Sequence, residues 1–314
     1  MYGEISAWVE SPLQLLGALE HASLAAATDP DRVMTIVPRG GDAQLEHTAS
    51  FLADRVHGDA AINARIALDV RVIPAARFAA GTAWVIGDAY SGQVQARLDR
   101  VQPSAVTIVD DGAITRLLAR QLVDGAPLLR PRAPRLLGGL RRELASRTTR
   151  RLRALAADGR LTVTTYLSDD DAVAQLRSIG AHVTTHRFDA TRRLGQRAVG
   201  VPRDARIVLG TARVADGLTD AGAELQRIAE LARSGAVAYL PHRREPDWFV
   251  TAVGRLPETT VVAASLPIEL ALAGTERPLE IVAAASTAEE TLPIVLRGSG
   301  STVSADARVW EVTS

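Results

Sequence analysis

The stretch AVTIVDDGAITRLLARQL, residues 105–122, joins a short apolar run to a segment of helical period through two aspartates and a glycine. The run Ala105–Val109 predicts a buried strand, and the apolar spacing over Ala113–Leu122 predicts a helix. The same alternation of strand and helix recurs along most of the chain. Such an alternation favours an α/β fold, in which helices cover a parallel sheet.

The alternation forms two series. In the first, strands are predicted at Ile5–Val9, Val33–Val37, Leu68–Ile73, Ala83–Ile86, Ala105–Val109, Leu161–Tyr166 and Ala181–His186, and helices at Leu13–Ala27, Asp42–Val56, Ser91–Arg100, Ala113–Leu122 and Asp170–Ile179. In the second, strands are predicted at Arg206–Leu209, Val237–Leu240, Thr260–Val262 and Leu279–Ala283, and helices at Ala221–Ser234, Pro246–Val253 and Pro267–Ala273. Between Pro127 and Arg160 the alternation breaks into a loop and an arginine-rich helix.

Two series of this kind predict two Rossmann-like domains facing a central cleft, residues 1–195 and 196–314. Gly195–Ala205, with its glycine and proline, is the expected linker. A chain of 314 residues is long enough for two domains of ordinary size. In such sheets, ligands bind beyond the carboxyl ends of the strands.

Composition excludes several classes of site. The chain has no cysteine, which excludes disulfides and thiolate metal sites, and no lysine, which excludes a P-loop lysine or a Schiff base. Its 36 basic and 36 acidic residues balance, so nothing indicates a nucleic-acid partner. The N-terminal residues do not resemble a signal peptide, and no apolar run could span a bilayer. We therefore expect a cytoplasmic protein.

Two polar motifs follow strands of the first series. Ser11 and Gln14 come after the first strand, where Ser11 can cap a helix; alternatively both side chains point into the cleft. Asp110 and Asp111 come after Ala105–Val109. One of these carboxylates can act as a general base while its neighbour raises its pKa, or the pair and Gly112 can form a turn and a helix cap.

Four further motifs follow strands of the second series. Gly210 and Thr211 allow a ligand to approach the backbone closely, or form a plain turn. His242 and Arg243 are suited to holding a phosphate, and the alternative is a histidine in a charged surface loop.

The last two motifs each open a helix. Ser265 precedes Glu269, whose carboxylate can accept hydrogen bonds from both hydroxyls of a ribose or serve the helix dipole alone. The hydroxyls of Ser286 and Thr287 can bond a phosphate together with backbone N–H groups. The alternative for this pair is a capping box completed by the glutamates that follow.

The run Ser168-Asp169-Asp170-Asp171 contains an Asp-x-Asp pattern that binds a metal in some glycosyltransferases. Here it opens a predicted helix, so we interpret it as an N-cap followed by an acidic first turn. We expect neither an obligatory metal nor a cofactor.

In this order, the strand-end motifs resemble those of bacterial sialyltransferase and polysialyltransferase families with GT-B folds. The matching elements are the Ser-Pro-Leu-Gln turn at Ser11, Asp110-Asp111-Gly112, Leu209-Gly210-Thr211, Pro267-Ile268-Glu269 and Ser286-Thr287. A His-Pro motif of these families has its counterpart in Pro241-His242-Arg243, where the proline precedes the histidine. The resemblance spans nearly the whole chain, although each motif is short.

The resemblance implies an inverting transferase that moves sialic acid or a related nonulosonic acid from a CMP-sugar donor to a hydroxyl of a glycan or glycolipid acceptor. It implies that Asp110, in preference to Asp111, is the general base. His242, Ser286 and Thr287 would stabilise the departing CMP phosphate, and Glu269 would hold the ribose. The alternatives are a GT-B transferase for UDP- or GDP-sugars and a non-catalytic binding protein of the same fold.

The segment 130–153 carries nine arginines interleaved with leucines. One interpretation is a solvated loop and helix whose arginines pair with acidic residues elsewhere. The other is a basic amphipathic element that contacts an anionic membrane surface from the cytoplasmic side or guides an anionic acceptor.

Overall fold

The computed structural model describes residues 5–28, 34–39, 41–58, 66–68, 78–109, 114–130, 139–263, 265–284 and 286–305. The chain divides into two compact units, Met1–Ala190 and Thr191–Ser314. Each unit is built on its own parallel sheet. The division follows Ala190, whereas the sequence-based boundary follows residue 195.

The first unit contains a seven-stranded sheet with the order β3-β2-β1-β4-β5-β6-β7. The strands are β1 (Ile5–Val9), β2 (Met34–Pro38), β3 (Ile66–Leu68), β4 (Ala83–Ile86), β5 (Ala105–Val109), β6 (Leu161–Thr165) and β7 (His182–Thr185). The helices are α1 (Pro12–Thr28), α2 (Ala43–Gly58), α3 (Gly92–Arg100), α4 (Ile114–Asp124), α5 (Gly139–Ala157), α6 (Asp171–Ser178) and α7 (Asp189–Leu194), the last of which spans the division between the units.

The core of the first unit forms where apolar strands meet the apolar faces of helices. Trp84 of β4 and Ile108 of β5 pack with Leu118 of α4 and Leu152 of α5. Full burial of a leucine or isoleucine side chain contributes about 1.5–3 kcal/mol to the stability of the folded state. The strand order reverses between β1 and β4, which makes their carboxyl ends the topological switch point of this sheet.

The second unit contains a five-stranded sheet with the order β10-β9-β8-β11-β12. Its strands are β8 (Arg206–Leu209), β9 (Val237–Leu240), β10 (Thr259–Val261), β11 (Glu280–Ala283) and β12 (Thr302–Ala305). Its other helices are α8 (Ala221–Arg233), α9 (Asp247–Val253), α10 (Ile268–Leu272) and α11 (Thr287–Val295). Val208, Tyr239, Ile228 and Phe249 belong to its core, and the switch point lies between β8 and β11.

These observations confirm the predicted α/β fold and the predicted arginine-rich helix, which is α5. The interpretation of Gly195–Ala205 as a linker is wrong in its first part. The backbone N–H groups of Gln196 and Ala198 donate to the carbonyls of Leu270 and Ala271, both at 2.9 Å. This part of the segment therefore belongs to the second unit and packs against α10.

Candidate functional site

Three of the predicted motifs meet at one edge of the second sheet. Strands β9, β8 and β11 are parallel neighbours, so their carboxyl ends lie side by side. His242 follows β9, Gly210 and Thr211 follow β8, and Ser286 and Thr287 follow β11. We call the residues that follow these three strands the second-sheet edge. They flank the switch point between β8 and β11, and open α/β sheets bind ligands at such a point.

Glu245 joins two of the loops at this edge. Its carboxylate accepts hydrogen bonds from the backbone N–H groups of Thr211 at 3.2 Å and His242 at 2.9 Å, and from the hydroxyl of Tyr239 at 2.6 Å. The residue is 8% exposed, and burial raises its pKa while these three hydrogen bonds lower it. Because the same carboxylate holds both loops, it fixes their relative position.

Gly210 is required by this packing. A Cβ atom at Gly210 would lie 2.7 Å from the His242 nitrogen and 2.8 Å from the Tyr239 hydroxyl oxygen. No larger residue fits without moving the strand end or the His242 loop. In this structure the atoms nearest to a Cβ at Gly210 belong to Glu245, His242 and Tyr239, and the approach of a ligand to this backbone stays a prediction.

His242 is half-buried, and its Nδ1 atom accepts a hydrogen bond from the Arg244 backbone N–H at 3.2 Å. A ring that accepts at Nδ1 is neutral and carries its proton on Nε2. Burial lowers the pKa of His242, the charges of Arg243 and Arg244 lower it further, and Asp216 opposes the shift. Arg244 itself pairs with Asp216. At neutral pH, His242 is therefore a neutral donor through Nε2.

Ser286 is the N-cap residue of α11, and its side chain is exposed. Within the described part of the chain, the hydroxyl makes no cap hydrogen bond. The alternative of a capping box is therefore not realised. Thr287, which is half-buried, begins the helix. The pair places two hydroxyls at the positive end of a helix dipole, a position that favours an anion.

Glu269 and Ser265 differ in their environments. Glu269 is 5% exposed and accepts a hydrogen bond from the Thr291 hydroxyl at 2.7 Å, which links α10 to α11. Burial raises the pKa of Glu269, and the Thr291 hydrogen bond lowers it. Ser265 is exposed. In this arrangement Glu269 supports α11, and a contact with ribose would require the carboxylate to leave the interior.

In the first unit, Ser11 and Gln14 have local roles. The Ser11 hydroxyl accepts from the Gln14 backbone N–H at 3.3 Å, as a helix cap does, and Gln14 Oε1 accepts from the Glu10 backbone N–H at 2.8 Å. Gln14 is 2% exposed, so the structure favours the capping alternative. Asp110, Asp111 and Gly112 lie outside the described residues, immediately after Val109 at the end of β5.

The switch point of the first sheet carries polar groups that the sequence analysis missed. Glu10 follows β1 and accepts a hydrogen bond from the Ser91 hydroxyl at 2.7 Å while pairing with Arg39 at 2.9 Å. Asp88 follows β4 and pairs with Arg130 at 3.0 Å. Glu10 and Asp88 could have been found from the sequence, because each lies directly after an apolar strand, as the other predicted motifs do.

Asp170 is the N-cap of α6, as predicted for the acidic run at Ser168. It accepts from the Ala172 backbone N–H at 2.9 Å and from Arg116 at 2.7 Å. Burial raises the pKa of Asp170, but these hydrogen bonds and the Arg116 charge bring it below its usual value. Within the described residues, no group of three or more histidine, aspartate or glutamate side chains is arranged to hold a metal ion.

Helix α5 contains the described part of the basic segment from residue 139 onwards. Leu152 and Leu155 are buried in the core of the first unit, so its apolar face already has a protein partner. Arg147 pairs with Asp99 of α3, as the interpretation of pairing with acidic residues elsewhere expected, and Arg150 pairs with Glu143 of the same helix. Docking of this helix on a membrane through its interleaved leucines is therefore not supported. No helix within the described ranges is long and apolar enough to cross a membrane.

Comparison with known proteins supplies the fold class. No protein-family model matches this chain, and no curated protein matches it either. A solved 2,6-sialyltransferase from Vibrionaceae Photobacterium sp. JT-ISH-224, in a ternary complex with the donor product CMP and the acceptor substrate lactose, is similar to it. That structure has a TM-score of 0.52 and 11% identity, over 96% of this chain and 71% of the other.

Two other solved structures have lower scores. An E. coli heptosyltransferase in complex with ADP-2-deoxy-2-fluoro heptose has a TM-score of 0.46 and 14% identity, covering 96% of this chain and 92% of its own. A UGT transferase from Siraitia grosvenorii in complex with UDP has a TM-score of 0.47 and 12% identity, covering 96% and 81%. The two parallel sheets and the likeness to the sialyltransferase structure identify the fold as that of GT-B glycosyltransferases.

Proposed function

We propose that this protein is an inverting glycosyltransferase that moves sialic acid or a related nonulosonic acid from a CMP-sugar to a hydroxyl of a glycan or glycolipid. The observation that carries the proposal is the second-sheet edge. Three neighbouring parallel strands of a GT-B fold are followed there by His242, by Gly210-Thr211 and by Ser286-Thr287. The donor identity rests on the resemblance of the motifs and on their order along the chain.

At this edge, the phosphate of the donor would sit at the beginning of α11. The Ser286 and Thr287 hydroxyls and the first backbone N–H groups of the helix would donate to its oxygens. His242 would donate through Nε2, and Arg243 would add positive charge. Negative charge on the phosphate grows as the bond to the sugar breaks, so these donors stabilise the transition state more than the bound substrate.

On the acceptor side, Asp110 would take the proton of the attacking hydroxyl. The oxygen of the acceptor hydroxyl would then form the new bond to the anomeric carbon while the bond between that carbon and the CMP phosphate breaks. This displacement inverts the configuration at the anomeric carbon. Asp111 is the alternative base. We propose no obligatory metal, because a monophosphate leaving group carries less charge than a diphosphate.

The test is the thermal stability of the protein with CMP, UMP, UDP and GDP. A ligand that binds only the folded state stabilises it by about 2.7 kcal/mol at one hundred times its Kd. We expect CMP to raise the melting temperature and UDP to leave it unchanged. Equal or greater stabilisation by UDP or GDP would exclude CMP as the preferred nucleotide. The absence of any effect from all four would exclude nucleotide binding at this edge.

A pair of matched variants locates the binding. Thr287→Val removes a hydroxyl from the second-sheet edge, and Thr302→Val removes one from the exposed beginning of β12, at the opposite edge of the sheet. Both substitutions keep a β-branched side chain. We expect the first to reduce the CMP-induced shift and the second to preserve it. Equal shifts in the two variants would place CMP elsewhere.

A further inference from the structure

A cavity in the first unit is lined by arginines. It has a volume of about 400 Å³, within the range of small-molecule sites. Arg147, Arg150 and Arg151 of α5 line it, together with Arg160 before β6 and Asp99 of α3. Residues 147, 150, 151 and 154 share one face of the helix because they are spaced by three, four and seven positions. We call this cavity the arginine pocket.

Three of the four guanidinium groups, those of Arg147, Arg151 and Arg160, are held in place by the protein. Arg147 donates to both carboxylate oxygens of Asp99, at 2.7 and 3.2 Å. Arg151 donates to the Leu98 carbonyl, and Arg160 to the Ser104 carbonyl at 3.3 Å. Each guanidinium has five N–H donors, so these contacts use part of its capacity. Cationic groups that are already ordered lose less entropy when an anion binds.

The charges of the pocket are not balanced by its own wall. Four arginines and one aspartate line it. Two further carboxylates, Glu143 and Asp158, reach Arg150 at 3.4 Å and Arg160 at 2.9 Å from outside, and both are more than half exposed. Exposed pairs of this kind contribute little. An anion of higher charge density can therefore replace Glu143 and Asp158.

The geometry points to a binding site for a small soluble anion that carries two or more phosphate groups. Guanidinium groups bind phosphate oxygens in pairs with a geometry that matches their planar shape. A ligand with several phosphates can contact arginines from α5 and from the loop before β6 at once. A lipid phosphate offers the same chemistry, and the vesicle arm of the test below distinguishes the two sources.

The arginine pocket is separate from the strand ends where the proposed catalysis takes place. Gln102 and Pro103, which precede β5, line it, as does Arg160, which precedes β6. Because β5 and β6 are parallel, the pocket lies at the edge of the sheet where they begin. A strand of five residues such as β5 spans roughly 15 Å. The inference is independent of the proposed transferase activity.

The test is calorimetric titration of the full chain with inorganic pyrophosphate at low ionic strength. The pocket variant is Arg150→Gln with Arg151→Gln, and the matched control is Arg142→Gln with Arg153→Gln. Each pair removes two charges from α5. Each also removes one arginine that donates to a backbone carbonyl, Leu98 for Arg151 and Val123 for Arg153. Because hydrogen bonds to charged groups are lost, we expect the pocket variant to bind about tenfold more weakly or worse, and the control to stay within about twofold.

Further arms separate the possible sources of binding. His242→Ala with Ser286→Ala removes two groups proposed to bind phosphate at the second-sheet edge, and the pyrophosphate binding that depends on Arg150 and Arg151 should persist in this variant. Loss of affinity in that variant but not in the pocket variant would overturn the proposal. The proposal would also be overturned if the pocket and control variants lost pyrophosphate affinity equally, or if the protein did not bind pyrophosphate at all. Binding of the protein to phosphatidylglycerol vesicles without any binding of pyrophosphate would overturn it as well. Should the double variant not fold, Arg150→Gln alone serves, because Arg150 is 66% exposed.

Discussion

At the scale of single residues, Glu245 decides how the second-sheet edge is assembled. Its carboxylate holds the backbone at Thr211 and at His242 and receives the Tyr239 hydroxyl from the core. Glu245 does not need to touch a ligand to affect binding, because it positions the loops at Thr211 and His242. In the proposed function, these two loops contact the donor. This makes it a positioning residue, and its effect should differ from that of an ordinary buried carboxylate.

We expect Glu245→Gln to weaken CMP binding by about tenfold, since the amide NH2 would replace one of the two oxygens that now accept the backbone N–H groups of Thr211 and His242. Glu224→Gln is the matched control. Glu224 is also 8% exposed and lies in the same unit, but its carboxylate pairs with Arg227 within α8. Melting temperature and CMP affinity are measured for both. If the two variants lose stability and affinity in parallel, Glu245 has no positioning role.

His186 should make the first unit sensitive to acid. It is 4% exposed, and within the described residues neither ring nitrogen has a hydrogen-bond partner. Burial lowers its pKa from 6.5 to about 4, an effect that Asp189 opposes and His21 reinforces. Below pH 6.5 the unfolded chain therefore binds a proton that the folded chain does not, and stability falls until the pH reaches about 4.

This linkage predicts a loss of about 2 kcal/mol in the free energy of unfolding between roughly pH 7.5 and 5 from His186 alone. Urea denaturation at the two pH values measures it. His186→Leu should remove that part of the pH dependence, whereas His182→Leu, at an exposed position of β7, should keep it. The same pH dependence in all three proteins would show that His186 does not titrate in this way.

At the scale of elements, the sequence predicted what depends on local patterns. The bounds of β4, β5, β8 and β9 agree with the prediction because each is a short apolar run between turn residues. Strand β12, Thr302–Ala305, was missed because it is short and largely exposed, with little apolar signal. Helix α11 was missed beyond its start because Pro293 lies inside it.

The candidate site depended on contacts that no local pattern contains. The sequence placed His242, Gly210 and Ser286 at strand ends, but only the strand order shows that these ends are neighbours. The sequence assigns Glu245 no role, because its partners Tyr239, Thr211 and His242 become adjacent only after β8 and β9 pair. Likewise the leucines of α5 could not be assigned to the core or to a membrane from their spacing alone.

At the scale of the whole molecule, the proposed chemistry is divided between the two units. The groups proposed for the donor follow β8, β9 and β11, and the proposed base follows β5. Each sheet has its own switch point, and each unit has its own core. A substitution of the base in the first unit should therefore leave the nucleotide contacts of the second unit intact, and this separation can be measured.

We expect Asp110→Asn to lower the rate of transfer from CMP-sialic acid by about 100-fold or more, the usual contribution of a general base. The affinity for CMP should stay within about twofold, since a base on the acceptor side does not contact the nucleotide. The measurements are CMP release with lactose and other glycans as acceptors, and calorimetric titration with CMP. Asp158→Asn, at an exposed carboxylate, is the matched control and should retain full activity.

If Asp111→Asn loses the activity that Asp110→Asn keeps, the base is Asp111. If both variants keep it, the base lies elsewhere, and Glu10 or Asp88 at the switch point of the first sheet are the next carboxylates to change.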